Sequence, residues 1–114
     1  MIIAIDFDGT LAKEDWPKIG DPVPLAIETV KDLFEAGHIL LLWTCREGQK
    51  LQDARMWCNE YGIGGYFTAF NQNDPERTSK FNNDSRKLGA DMYIDDKAFG
   101  WTGWGSVRDF FGFN

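Results

Sequence analysis

Two carboxylates one residue apart, Asp6 and Asp8, end the apolar run that opens the chain as MIIAIDFDGT, and a second pair, Asp95-Asp96, ends Met92-Tyr93-Ile94. Thr44, Cys45 and Arg46 follow a third run, Ile39 to Trp43. Four carboxylates gathered without compensation repel one another and raise some of their own pKa values, and a divalent cation is the simplest remedy. Donors that are all oxygen favour Mg²⁺ over zinc or copper, and Mg²⁺ held by a few carboxylates keeps positions for water and a phosphate oxygen. In such a site Asp6 can attack phosphorus, because carboxylates form acyl-phosphate intermediates. Asp8 can then protonate the departing alcohol and later take a proton from the hydrolysing water. Gly9 permits a tight turn that brings backbone N–H groups near phosphoryl oxygens. Gly9, Thr10, Cys45 and Arg46 are thus the candidate substrate-binding residues. Arg46 has an alternative, since it can equally pair with Glu47 or with an active-site Asp.

These residues meet only if the elements carrying them are parallel strands. Ile2 to Ile5 lacks polar alternation, the mark of a strand covered on both faces. After a polar stretch from Ala12 to Asp21, Pro22 and Pro24 precede a helical pattern with Ala26, Val30, Leu33 and Phe34 on one face, which Gly37 stops. His38 to Thr44 reads as a second strand beside the first. Leu51, Ala54, Cys58 and Tyr61 recur at helical spacing up to Gly62. Tyr66 to Phe70 is a third strand, and Asp74-Pro75-Glu76 starts a short helix, with Asp74 as its cap, inside a long polar segment. Met92 to Ile94 is the last strand. The order predicts one α/β domain over residues 1–114, a three-layer, Rossmann-like sandwich around a parallel sheet. Ligands bind such sheets outside the carboxyl ends of their strands, where Asp6, Thr44 and Asp95 would lie together.

Asp6-Phe7-Asp8-Gly9-Thr10, the strand-borne Thr44, a Lys and Asp95-Asp96 resemble, in order, the four motifs of the haloacid dehalogenase (HAD) superfamily of phosphatases. The likeness covers residues 2–96. The strings DWPKIG, LLWTCREG and ADMYIDDK also resemble small HAD-like hydrolases of bacteria and phages. The resemblance implies that Asp6 is nucleophile and metal ligand, and that Asp8 is the general acid/base whose backbone carbonyl also meets the metal. It makes Thr44 a phosphoryl hydrogen-bond donor and Asp95 and Asp96 metal ligands. Its catalytic lysine falls on Lys87, with Lys80 as competitor. It further implies Mg²⁺ as cofactor and a small phosphorylated substrate. No stretch is long enough for a large cap domain, so only the segment 13–23, with Trp16 and Pro17, is available as a flap.

The whole composition narrows the function classes. The chain has 114 residues, 43% of them hydrophobic, enough for a genuine core. Its net charge of −6 leaves no broad basic surface for extended nucleic acid. An EF-hand loop is excluded because the ligands before and after Gly9 are wrongly spaced. Cys45 and Cys58 read as reduced thiols, Cys45 lacks the His partner of a thiol nucleophile, and His38 reads as a helix-end residue. No signal or spanning segment is evident, so a cytoplasmic protein without membrane attachment is expected. The aromatic tail from Phe99 is expected to fold back over the sheet or a helix, with Ser106 capping a final helix. Self-association or substrate stacking are the alternatives for that tail. The functional expectation is a Mg²⁺-dependent phosphomonoesterase, against a nucleotide or nucleic-acid-end phosphatase and a non-catalytic phosphate-binding module.

Overall fold

The computed structural model describes residues 1–113 and is a mixed α/β protein with a central parallel sheet flanked by helices. Chain order is β1 (Ile2–Ile5), β2 (Ala12–Asp15), β3 (Lys18–Pro22), α1 (Ala26–Glu35), β4 (Ile39–Leu42), α2 (Gly48–Glu60), β5 (Phe67–Phe70), α3 (Pro75–Phe81), β6 (Met92–Ile94) and α4 (Trp104–Phe111). The main sheet has four strands in the order β5-β4-β1-β6, all parallel, with Ile5 beside both Leu42 and Ile94. The chain winds outward from β1 through β4 to β5 and then returns to β1's other side. The topological switch point therefore lies at the carboxyl end of β1.

Strand periodicity divides the core. Ile3, Ile5, Leu40 and Leu42 face the buried residues of α1, α2 and α4, including Val30, Leu33, Ala54 and Trp104. Leu41 and Ala69 face the other way and pack with Leu88, Ile2 and Trp43. That second layer is thin, because α3 has only seven residues and buries none of them. Within the helices, Phe34 is 44% exposed and stacks on Tyr66, while Trp57, which the helical spacing passed over, is buried against Phe7. Cys58 is buried too, and burial pushes its thiol up to about 12, as befits an inert core side chain.

The polar stretch 12–21 is a hairpin, β2 antiparallel to β3. It is fastened from outside: the Trp57 indole N–H donates to the Gly20 carbonyl at 3.2 Å, and the Val23 N–H donates to the Leu11 carbonyl at 2.8 Å. The tail folds back as expected, α4 packing on α1. The Arg108 guanidinium, buried, donates to the Thr29 hydroxyl at 3.1 Å and to Asp32 at 2.8 Å. Ser106 is not the cap: α4 begins after Gly103, and the Ser106 hydroxyl bonds Thr102 at 2.6 Å. His38 sits at the opposite end of the sheet from the carboxylates, its Nδ1 3.0 Å from the Met1 ammonium. No helix among the described residues is long and apolar enough to cross a membrane.

Trp104 joins the tail to the first loop, since it is 2% exposed and its indole N–H donates to the Thr10 carbonyl at 2.7 Å. Trp104→Ala is expected to cost about 3–5 kcal/mol in urea unfolding, the range for truncating a buried large aromatic. A loss within about 1 kcal/mol, what a single neutral hydrogen bond contributes, would show that the tail is not part of the core.

Candidate active site

The turn after β1 is built by local hydrogen bonding. The N–H groups of Thr10, Leu11 and Ala12 all converge on the Phe7 carbonyl at 2.9–3.2 Å, and the Gly9 N–H donates to the Ala12 carbonyl at 2.7 Å. Gly9 adopts φ +87°, and a Cβ there would collide with the Asp96 carboxylate. Its contribution is space and conformation, because its own N–H is already bonded within the turn. Thr10 is fully buried beneath the carboxylates. Its hydroxyl accepts the Asp96 N–H at 2.9 Å and lies 3.0 Å from both Asp6 Oδ2 and Asp96 Oδ1. A single hydroxyl proton serves one carboxylate at a time. Gly9 and Thr10 thus assemble the acidic cluster from below rather than line the cleft.

Asp6, Asp95 and Asp96 each place one carboxylate oxygen within 4.8 Å of the others. Asp6 titrates at about 7 instead of 3.8; burial is the main cause, followed by the charge of Asp95, while bonds from the Thr10 hydroxyl and the Phe7 N–H act in the opposite sense. The donors are hard oxygens and excess negative charge is concentrated on them. Mg–O distances of about 2.1 Å set opposite ligands about 4.2 Å apart, so modest side-chain movement would let one ion be held.

Asp8 does not join that trio. Its two carboxylate oxygens accept from Arg46 Nε and Nη2, each at 2.8 Å, in a bidentate ion pair whose guanidinium is wholly buried. The remaining Arg46 donors reach the carbonyls of Pro17 and Lys18 at 3.1–3.3 Å. Of the two roles open to Arg46 in the sequence, the structure has it paired with an active-site Asp, buried and not among the residues that line the cleft. Thr44 stands in the turn after β4, its hydroxyl accepting the Arg46 N–H at 3.1 Å. Asn71, at the end of β5, clasps this turn by accepting the Thr44 N–H at 2.8 Å and donating to the Arg46 carbonyl at 2.9 Å.

Asp6, Asp8, Thr44, Cys45 and Asp95 share one cleft of about 210 Å³, completed by Glu14 and Trp16 of the hairpin and by Lys97. An adjoining space of about 250 Å³ extends from Asp6 and Asp95 toward Trp43. Neither lysine named from the sequence is among the residues lining these spaces: Lys87 lies 5.4 Å from the Tyr93 ring and Lys80 5.4 Å from the Phe81 ring, both exposed. The cleft has Lys97 instead, whose backbone N–H donates to Asp95 at 2.9 Å. The signal for it was adjacency, as Lys97 directly follows the acidic pair. Asn71 carried a weaker signal, an amide immediately after an apolar strand.

A carboxyl that titrates higher in the folded protein than in the unfolded chain binds a proton on folding between the two values, so its effect on stability becomes more unfavourable as pH rises. For Asp6 the window runs from 3.8 to about 7. In thermal melts of metal-free protein, wild type is expected to lose stability relative to Asp6→Asn across that window and to hold a constant difference above it. A difference independent of pH would contradict the crowding described here.

No protein-family model and no curated protein matches the chain. A solved structure does: a conserved protein from Bacteroides thetaiotaomicron superposes with a TM-score of 0.86 at 42% sequence identity, over 98% of this chain and 89% of that one. At that identity and coverage, the chain belongs to the same family as the conserved Bacteroides protein.

Proposed function

We propose that the protein is a phosphohydrolase that cleaves a phosphomonoester through an aspartyl-phosphate on Asp6, with Mg²⁺ as cofactor and a fold of the HAD type. The observation that carries this reading is the convergence of Asp6, Asp95 and Asp96, with ligand atoms within 4.8 Å, beside a cleft that Asp6, Asp8, Thr44 and Asp95 line. The motif order that resembles the HAD superfamily supports it.

In this reading an Asp6 carboxylate oxygen forms a bond to phosphorus as the bond from phosphorus to the alcohol oxygen breaks, and Asp8, carrying a proton on an oxygen released from Arg46, gives it to that alcohol oxygen. Water then attacks phosphorus, the bond to Asp6 breaks, orthophosphate leaves, and Asp8 recovers a proton from the water. Mg²⁺, when bound by Asp6, Asp95 and Asp96, supplies charge neutralisation of the phosphoryl oxygens. Thr44 donates its hydroxyl proton to a phosphoryl oxygen. Lys97, which lines the cleft, supplies the positive charge that the resemblance assigned to Lys87. Arg46 is a positioning residue: it orients Asp8 and, through the Pro17 and Lys18 carbonyls, ties the hairpin down at the same point.

Asp6→Asn is expected to abolish Mg²⁺-dependent phosphate release from a generic aryl phosphate, a drop of about 10³-fold or more in kcat, while the melting profile stays cooperative. Hydrolysis at the wild-type rate would rule out the nucleophile. Lys97→Ala is expected to raise KM more than Lys87→Ala does; the reverse order in steady-state kinetics would return the role to Lys87. Binding of phosphate without turnover in the wild type would favour the non-catalytic module.

A further inference from the structure

Trp16 is the feature of the cleft that the phosphoryl chemistry leaves unused. It stands at the tip of the β2–β3 hairpin, 52% exposed, with its ring in the wall of the space that also holds Asp6 and Asp8. A large indole kept half in water adds little to the core, yet this one is rigidly mounted. The buried Arg46 guanidinium lies 4.8 Å from its ring centroid, and the carbonyls that follow it, Pro17 and Lys18, accept from that same guanidinium. Exposed Lys50, on α2, lies 5.8 Å from the centroid and is free to swing aside. The indole is therefore preorganised, and stacking on it would cost little conformational freedom.

We infer that Trp16 is a stacking platform for the leaving group, and that the substrate is a phosphomonoester whose alcohol carries a flat aromatic ring. This rests on the phosphohydrolase reading and names its substrate class. The link is Arg46: one guanidinium grips both Asp8 oxygens at 2.8 Å and braces the indole, so the platform has a fixed place relative to the proton donor. Whatever stacks there belongs to the group that Asp8 protonates. Charge sharpens the class further. Glu14 adds a carboxylate to the same wall, so a second phosphate on the leaving group would meet like charge there even with Lys97 and Lys50 in reach. The ring-bearing alcohol is thus free of further negative charge, as in a nucleoside monophosphate or a simple arylmethyl phosphate.

The test compares kcat/KM within two substrate pairs that keep the reacting alcohol alike: adenosine 5′-monophosphate against ribose 5-phosphate, and benzyl phosphate against ethyl phosphate, all with Mg²⁺. Wild type is expected to prefer the ring-bearing member by about ten-fold or more, as base–aromatic stacking allows. Trp16→Leu is expected to collapse the preference toward unity and Trp16→Phe to keep most of it, with circular dichroism melts confirming that both variants fold. Preference in both pairs identifies any aromatic ring, and preference in the nucleotide pair alone identifies a nucleobase; either supports the platform. Hydrolysis of all four esters without ring preference, or a preference that survives in Trp16→Leu, overturns the inference and leaves the phosphohydrolase reading standing. Hydrolysis of none of them overturns both.

Discussion

Everything at the carboxyl end of the sheet is arranged around one electrostatic difficulty: Asp6, Asp95 and Asp96 are held close enough that they repel, and burial withholds the water that would screen them. The fold keeps them there by neutral means. The Thr10 hydroxyl stands between β1's carboxylate and the Asp95-Asp96 turn, Gly9 gives Asp96 the room that a side chain would take, and Trp104 holds the Thr10 carbonyl from the far side. The charge excess is left for something that enters the cleft. In the proposed reading that something is a divalent cation, and the crowding is offset by packing elsewhere.

The other half of the site is compensated within the chain. Asp8 is paired with Arg46, and the pair is sealed by the hairpin and by Phe7 and Trp16, whose rings lie 5.6 and 4.8 Å from the guanidinium carbon. Removing either partner of such a pair would leave a buried charge without its counterpart, which costs far more than the pair itself contributes. Two aspartates one residue apart therefore live in opposite electrostatic surroundings, Asp8 against a guanidinium and Asp6 against other carboxylates.

The parts of this arrangement visible in the sequence are those governed by local pattern. Uninterrupted apolar runs at Ile2 to Ile5 and Ile39 to Trp43 announced buried parallel strands, and parallel strands put their ends, with Asp6, Thr44 and Asp95, on one side. What escaped is set by partners distant in the chain. The segment 12–22 has exposed Lys13, Glu14, Asp15, Lys18 and Asp21 and no apolar alternation, so nothing local marked it as paired strands; its anchors, Arg46 and Trp57, lie beyond β4. Arginine is ordinarily a surface residue, and only the closure of the hairpin turns Arg46 into a fully buried strut. Whether Lys87 or Lys97 enters the cleft depends on the short turn after β6, whose direction the sequence pattern does not encode.

The crowded carboxylates at the switch point are expected to hold one divalent cation, which calorimetric titration of Mg²⁺ into the intact protein near neutral pH would measure. One ion bound per chain, with binding lost in Asp95→Asn, is the expected result. An absence of binding at millimolar Mg²⁺, or binding undiminished by Asp95→Asn, would contradict it.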